Sequence, residues 1–501
     1  MIQKNNRRIA KNTFFLYIRL FFTLAISLYV TRELLHLLGV DDFGLLNVVG
    51  GVVMMFSFLN NSMIAASQRF ITFSLGADDL KQQKKIFSTA LIIHFLIAVI
   101  IVLLLETAGL WYIYNKLNVD QDRLDAAFFV FQSSIISFFF SIISVPFSAS
   151  VIAHEKMNVY ALLSIFDSLL KLAIVLCLPY IPYDRLITYS ALLIIISMAN
   201  LIFYLIFCVT NFEECRITRT DRFTLGSMLS FAGWSFLGNF GVVSKDYGVN
   251  LIINNFCNTA VNASRGVAYQ VVNAVNGFVS GFQTAMNPQI TKRYAIGEYD
   301  SMLSLLYNGA KYSFFLLSLF VIPLFIRADY VLYLWLGSLP DFSVQFLRLA
   351  LVMALINSMS GPFVTSLQAT GNIKLFQIVI SVIMTLDMPL SYLILKIGCP
   401  PFTVMYVSIA TAFIALIARA LLLYRQLKFN IKYFILNIVL KNYLILAVLF
   451  ILINSISVLF PDNFIGLVLF CMTSLLLSLT IIYVFVLDSN DKKYLKEFIH
   501  G

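Results

Sequence analysis

Charge inside apolar sequence is where this chain could do chemistry. Seven basic residues fall within long apolar runs: Arg19, Lys171, Lys245, Lys311, Arg348, Arg419 and Lys441. The acids placed similarly, away from run ends, are Asp167, Asp246 and Asp387. A charged side chain at the centre of a membrane helix costs roughly 2.5–3.5 kcal/mol on insertion scales, so it is rare and faces water, protein or a partner. Arg19 sits in NTFFLYIRLFFTLAISLYVT among Phe14, Phe15, Leu20, Phe21 and Phe22. It reads as a cavity residue, with snorkelling to the interface as the alternative. Lys441, Arg419 and Arg348 lie near run ends and are expected to snorkel. Lys171 follows Asp167 by four residues, a spacing that neutralises locally. Arg19, Lys245 and Lys311 have no such explanation, since Asp246 points about 100° away from Lys245 around the helix axis.

Two stretches add polar groups. FAGWSFLGNFGVVSKDYGVNLIINNF carries Gly233, Gly238, Gly241 and Gly248, with Asn239, Ser244, Lys245, Asp246 and Asn250. Weak, polar helix at membrane depth is tolerated where it lines a cavity or packs in protein. The next run presents Asn262, Arg265, Tyr269, Asn273, Asn276, Ser280, Thr284 and Asn287 at steps of three or four, a stripe on one helix face. The stripe is expected to line a cavity, although such stripes also join helices. Asp387 in SVIMTLDMPLSYL lies beside a helix break at Pro389. It suggests either cation coordination or proton carriage, or an interhelical pair with Arg348 or Lys311.

The elements that position these residues follow from composition. Of 501 residues, 60% are hydrophobic and 12% charged, which fits an all-α polytopic membrane protein. Hydropathy gives about fourteen spans: 12–35, 43–66, 86–110, 125–147, 159–180, 186–209, 228–254, 264–288, 303–326, 346–369, 373–395, 403–425, 437–460 and 464–487. With the N-terminus cytoplasmic, the cytoplasmic segments hold 21 Lys and Arg. The opposite side holds 7 (Arg32, Lys116, Arg123, Arg185, Arg265, Arg327 and Lys396). The net charge of +10 is thus spread over short loops, which argues against a nucleic-acid surface. Lys4, Arg7, Arg8 and Lys11 precede a retained first helix, since no small-residue cleavage site follows.

An internal repeat organises the spans. Ser144–Ala153 and Ser360–Ala369 both fit S-x-P-F-x-x-S-x-x-A at an offset of 216, Arg69 and Arg293 recur at 224, and Arg19 and Lys245 at 226. Six spans per half is even, so the halves are parallel repeats, with a central cavity between them. The expected organisation is an N-terminal lobe over 1–212, a C-terminal lobe over 213–428, and two extra helices with a cytoplasmic tail over 429–501.

Absences narrow the function. No G-x-x-x-x-G-K-[ST] phosphate loop occurs, and no non-apolar segment is long enough for a nucleotide-binding domain. The six cysteines and four histidines are scattered, without metal or disulfide spacing. A membrane glycosyltransferase or polymerase would show acidic metal-binding motifs or a sizeable outer loop. Neither is present, so the chain is expected not to be an enzyme.

The basic N-terminus, the arginine of span 1, the motif L-x-G-x-x-x-F-G (Leu37, Gly39, Phe43, Gly44), two six-helix halves and two added helices resemble the polysaccharide repeat-unit flippases. These share a superfamily with the multidrug and toxin extrusion exporters and the lipid II flippase. The resemblance implies translocation of an undecaprenyl-diphosphate-linked oligosaccharide from the cytoplasmic to the periplasmic leaflet of the bacterial inner membrane by alternating access. It implies membrane lipids, a polysaccharide polymerase and export machinery as partners, both termini in the cytoplasm, and no cofactor beyond Na+ or H+ coupling. The cationic cavity would be Arg19, Lys245 and Arg265, with Arg32, Arg69 and Lys311 behind them, lined by Asn239, Asn250, Asn273 and Asn276. Asp246 and Asp387 would be the coupling-cation site. The alternative is a cation-coupled exporter of small amphipathic drugs or metabolites. The excess of base over acid within the spans favours an anionic substrate.

Overall fold

The computed structural model describes residues 2–54, 57–115, 121–257, 259–337, 339, 341–487 and 492. Lys116, Lys493 and Lys496 lie outside the described residues, as do the side chains of Lys4, Arg7, Ser244, Asp246 and Asn262. Among the described residues the regular structure is all helical. A helix lies at each of the fourteen expected spans, and eleven are long and apolar enough to cross a membrane. The other three are spans 2, 7 and 8 (Ser57–Gly76 with the helix before it, Arg222–Phe256 and Thr259–Ala295). Residues 55 and 56, outside the described residues, divide span 2, whereas Asn, Ser, Gly and charged residues dilute the apolar content of spans 7 and 8.

The first helix runs Ile2–Met54, but Gly39 breaks it with φ 78°, which ends span 1. The left-handed region costs a side chain roughly 1–2 kcal/mol and glycine almost nothing. Leu37–Gly39, part of the motif singled out above, is therefore a helix stop.

The chain forms two compact units, Asn12–Phe236 and Met1–Lys11 with Leu237–Gly501. The division falls inside span 7, later than the expected boundary at 212/213. In the first unit span 4 (Leu124–Ala153) packs on spans 2, 3 (Leu80–Gly109), 5 (Met157–Tyr180) and 6 (Arg185–Asn211). In the second unit span 10 (Ser343–Ala369) packs on spans 8, 9 (Tyr299–Ile326) and 12 (Pro401–Leu427). Each half thus wraps around the helix that carries the S-x-P-F motif.

The backbone repeats with the sequence. Span 4 ends at Ala153 and span 10 at Ala369, and each is followed by a left-handed residue, Glu155 (φ 59°) and Gly371 (φ 77°). Another left-handed pair, Asp78 (φ 56°) and Gly297 (φ 79°), precedes spans 3 and 9. In that register Arg293 matches Ser74, and Arg69 matches Pro288. The two arginines are not equivalent, and their offset of 224 reflects similar composition at two helix ends.

Pro362 leaves the Ser358 carbonyl without its helical donor. Gln283 Nε2 supplies one at 2.8 Å. Gly361 makes room for it, since a Cβ there would lie 2.2 Å from Gln283 Oε1.

Loops group as alternating spans require. In the first unit, Arg123 (between spans 3 and 4) joins Asp42 (between 1 and 2) and Asp184 (between 5 and 6). Burial raises Asp184, but its bonds from Arg123 and the Ile187 N–H outweigh that and hold it below the usual carboxylate range. The other set of loops meets through Lys85–Asp221 at 3.1 Å and through His154–Glu214, with His154 stacked on Phe212.

A buried ion pair as candidate functional site

Spans 7 and 11 approach through glycine. A Cβ on Gly238 would lie 1.8 Å from Gln377 Oε1, on Gly241 2.8 Å from the Ser381 Cα, and on Gly248 2.9 Å from Met388 Sδ. Ser381 Oγ completes the contact by donating to the Leu237 carbonyl at 2.5 Å. Gly238, Gly241 and Gly248 are therefore contact glycines against a neighbouring helix, not a cavity lining. Lys245 lies one turn from both Gly241 and Gly248, on the same face.

Span 11 is two helices, Lys374–Thr385 and Asp387–Lys396, interrupted at Leu386. Pro389 has no N–H to give the Thr385 carbonyl, which accounts for the interruption. Asp387 is the first residue of the second half, and the backbone stays helical through Leu386.

The Lys245 ammonium lies 3.5 Å from Asp387 Oδ2, and Thr411 Oγ1 donates to the same oxygen at 2.9 Å. Ser391 Oγ at 3.2 Å and Ser408 Oγ at 3.1 Å donate to Oδ1. Two donors on each oxygen match the capacity of an ionised carboxylate. Asp387 is 0% exposed and Lys245 5%, so both charges are out of solvent. Burying a lone charge costs several kcal/mol, and only a well-bonded partner offsets it. The Lys245 ammonium also donates to Met353 Sδ at 3.7 Å.

This pair corrects the partner expected for Asp387. Arg348 donates instead to the Phe325 carbonyl at 3.1 Å, and Lys311 to the Val486 carbonyl at 3.4 Å while lying over Tyr312. Lys245, read as a substrate-binding cation, and Asp387, read as a coupling acid, form one unit. Asp246 belongs to span 7, but its side chain lies outside the described residues.

Arg265 forms a second cluster. Buried at the start of span 8, it bonds Asn250 of span 7 and Tyr269 Oη at 3.1 Å, and it lies 4.5 Å above the Tyr269 ring. Asn239 and Asn276 are half-buried and Asn273 is exposed.

Three candidates belong to the first unit. Arg19 stacks on Tyr160 at 4.8 Å, and its Nε is buried without a hydrogen bond. Arg69 lies over Phe70 at 4.6 Å and Phe73 at 4.8 Å, and Arg32 is exposed. Lys171 neutralises Asp167 at 2.8 Å as its spacing predicts, and Asn200 Nδ2 donates to the same acid at 2.5 Å.

Arg419 departs from its expected role. It is buried at 7% exposure, does not snorkel, and donates to Ser360 Oγ of the S-x-P-F motif at 3.1 Å. The sequence reading also missed Ser391, Ser408 and Thr411. Their signal is faint but present: Ser391 is one turn after Asp387, and Ser408 and Thr411 share one face of span 12.

The glycine contact yields a prediction. Gly241→Ala places a methyl group against the Ser381 backbone, which cannot rotate away. It is expected to destabilise the protein by about 1–3 kcal/mol, read by thermal unfolding in detergent. Gly233→Ala, with open space at its Cβ position, is the control.

No protein-family model matches the chain, and no curated protein matches it. Solved structures do. A MATE structure in the bent conformation is 13% identical, with a TM-score of 0.74 over 85% of this chain and 96% of that one. An outward-facing multidrug resistance MATE family transporter of the MOP superfamily is 14% identical, with a TM-score of 0.74 over the same shares. A MOP superfamily transporter from Pyrococcus furiosus, described by the reverse polarity of its binding pocket, is 13% identical with a TM-score of 0.71, over 84% and 96%. At such identities the likeness concerns architecture. The chain has the fold of the MATE transporters of the MOP superfamily.

Proposed function

We propose that the protein is a membrane exporter that moves small amphipathic drugs or metabolites by alternating access, with Asp387 as its coupling group. The observation that carries this reading is the Lys245–Asp387 pair, buried in a transporter fold at a break in span 11. Ionisable groups kept inside membrane spans at such cost mark ion or substrate paths. The threefold excess of base on one set of loops supports an orientation with both termini in the cytoplasm.

A second reading is favoured by one observation. Arg19 lies within span 1, rests on Tyr160, and makes no ion pair among the described residues. A planar guanidinium of this kind suits phosphate oxygens. It supports a flippase for an undecaprenyl-diphosphate-linked oligosaccharide, working with a polysaccharide polymerase.

Deleting the gene in its native host separates the two. Export of amphipathic compounds predicts sensitivity to lipophilic toxic compounds with surface glycan intact. The flippase predicts accumulation of the lipid-linked oligosaccharide with loss of surface glycan. A strain with neither change overturns both.

A further inference from the structure

The surroundings of Asp387 describe a cation site with its cation attached to the chain. Ser391, Ser408 and Thr411 place three hydroxyl oxygens against one carboxylate, all buried. A hydroxyl is both donor and acceptor and rotates to suit its neighbour. The same three groups that now donate to Asp387 can instead turn lone pairs toward a positive ion. Hard cations are held by such oxygen sets. The single charge of the carboxylate matches a monovalent ion, and among the described residues no trio of His, Cys, Asp and Glu gathers to hold a divalent one. What occupies the positive position is the Lys245 ammonium, itself monovalent, at 3.5 Å.

We infer that Lys245 is a tethered cation filling a latent site for a monovalent alkali ion made by Asp387, Ser391, Ser408 and Thr411. The covalent stem keeps the ammonium at high local concentration, so a free ion must displace a group that cannot diffuse away. The intact protein therefore does not bind Na+ or K+ at Asp387. Removing the ammonium uncovers the site. The assignment rests on the ion pair. It extends the exporter reading only in its consequence, that export needs no alkali-ion gradient at this position.

The test is thermal unfolding of the purified full chain in detergent, with NaCl, KCl or choline chloride at matched ionic strength. Wild type is expected to melt at the same temperature in all three. Lys245→Ala is expected to melt lower in choline and to gain about 2–4 °C in a saturable titration with NaCl or KCl. That gain should vanish in Lys245→Ala/Asp387→Asn. Lys245→Met, which keeps most of the stem volume, repeats the measurement if the alanine variant folds poorly. A saturable alkali-specific shift in wild type overturns the inference. So does a folded Lys245→Ala or Lys245→Met that ignores Na+ and K+, or failure of both variants to fold in either alkali salt. Transport does not enter the readout, so failure of the exporter reading leaves the result standing.

Discussion

Asp387→Ala is expected to lower the unfolding free energy by about 3–5 kcal/mol, while Lys245→Met/Asp387→Leu recovers most of that loss. The asymmetry follows from burial. With the carboxylate gone, Lys245 keeps its ammonium at 5% exposure, with Met353 Sδ 3.7 Å from Nζ. A thioether is a weak acceptor and carries no countercharge. The chain must then bury an unpaired charge or give up the proton at a cost. Ser408 and Thr411 also lose an acceptor, although Thr411 Oγ1 retains the Ser408 carbonyl at 3.1 Å. Replacing both charges with apolar groups of similar size removes the liability, because desolvation of an ion pair can rival its attraction. Thermal unfolding of Lys245→Met, Asp387→Leu, their double variant and wild type in choline chloride gives the coupling energy. A loss in the double variant equal to the sum of the two single losses would show that the two groups do not act on each other.

The architecture was largely legible because apolar length is a strong signal. Each of the fourteen spans expected from hydropathy coincides with a helix, and the S-x-P-F motif marks the helix at the centre of each half. Spans 7 and 8 are the ones whose apolar content is diluted by polar groups. Those groups carry the local contacts: Asn250 meets Arg265 and Lys245 meets Asp387. The site was half legible. Charge inside an apolar run singles out Lys245 and Asp387, but 142 positions separate them, and no local spacing says that they meet. Gly238 and Gly241 carried the missing information. They read as helix weakness in one dimension, whereas in three they are the faces through which span 11 comes close. Asp167 and Lys171 pose no such difficulty, since a partner four residues away is fixed by helix geometry.

Arg419 fails for the opposite reason, and it supplies the second large effect. Its place near the end of span 12 predicts snorkelling, but distance to the helix end does not determine which face a side chain takes. Arg419 points inward to Ser360, and its Nε is buried without an acceptor. One neutral hydroxyl is a poor return for a desolvated guanidinium, whose five donors have a fixed geometry. Arg419→Met is therefore expected to raise the unfolding free energy, by about 1–4 kcal/mol. Ser360→Ala, which removes the one acceptor and leaves the charge in place, is expected to lower it by about 1–3 kcal/mol. Opposite signs from two sides of one contact are the signature of an undercompensated buried charge. A snorkelling arginine would leave both variants within about 0.5 kcal/mol of wild type. Thermal unfolding of the two variants in detergent checks the signs. A chain that keeps a destabilising arginine keeps it for something other than stability, so loss of export in the stabler Arg419→Met variant is the expected companion result.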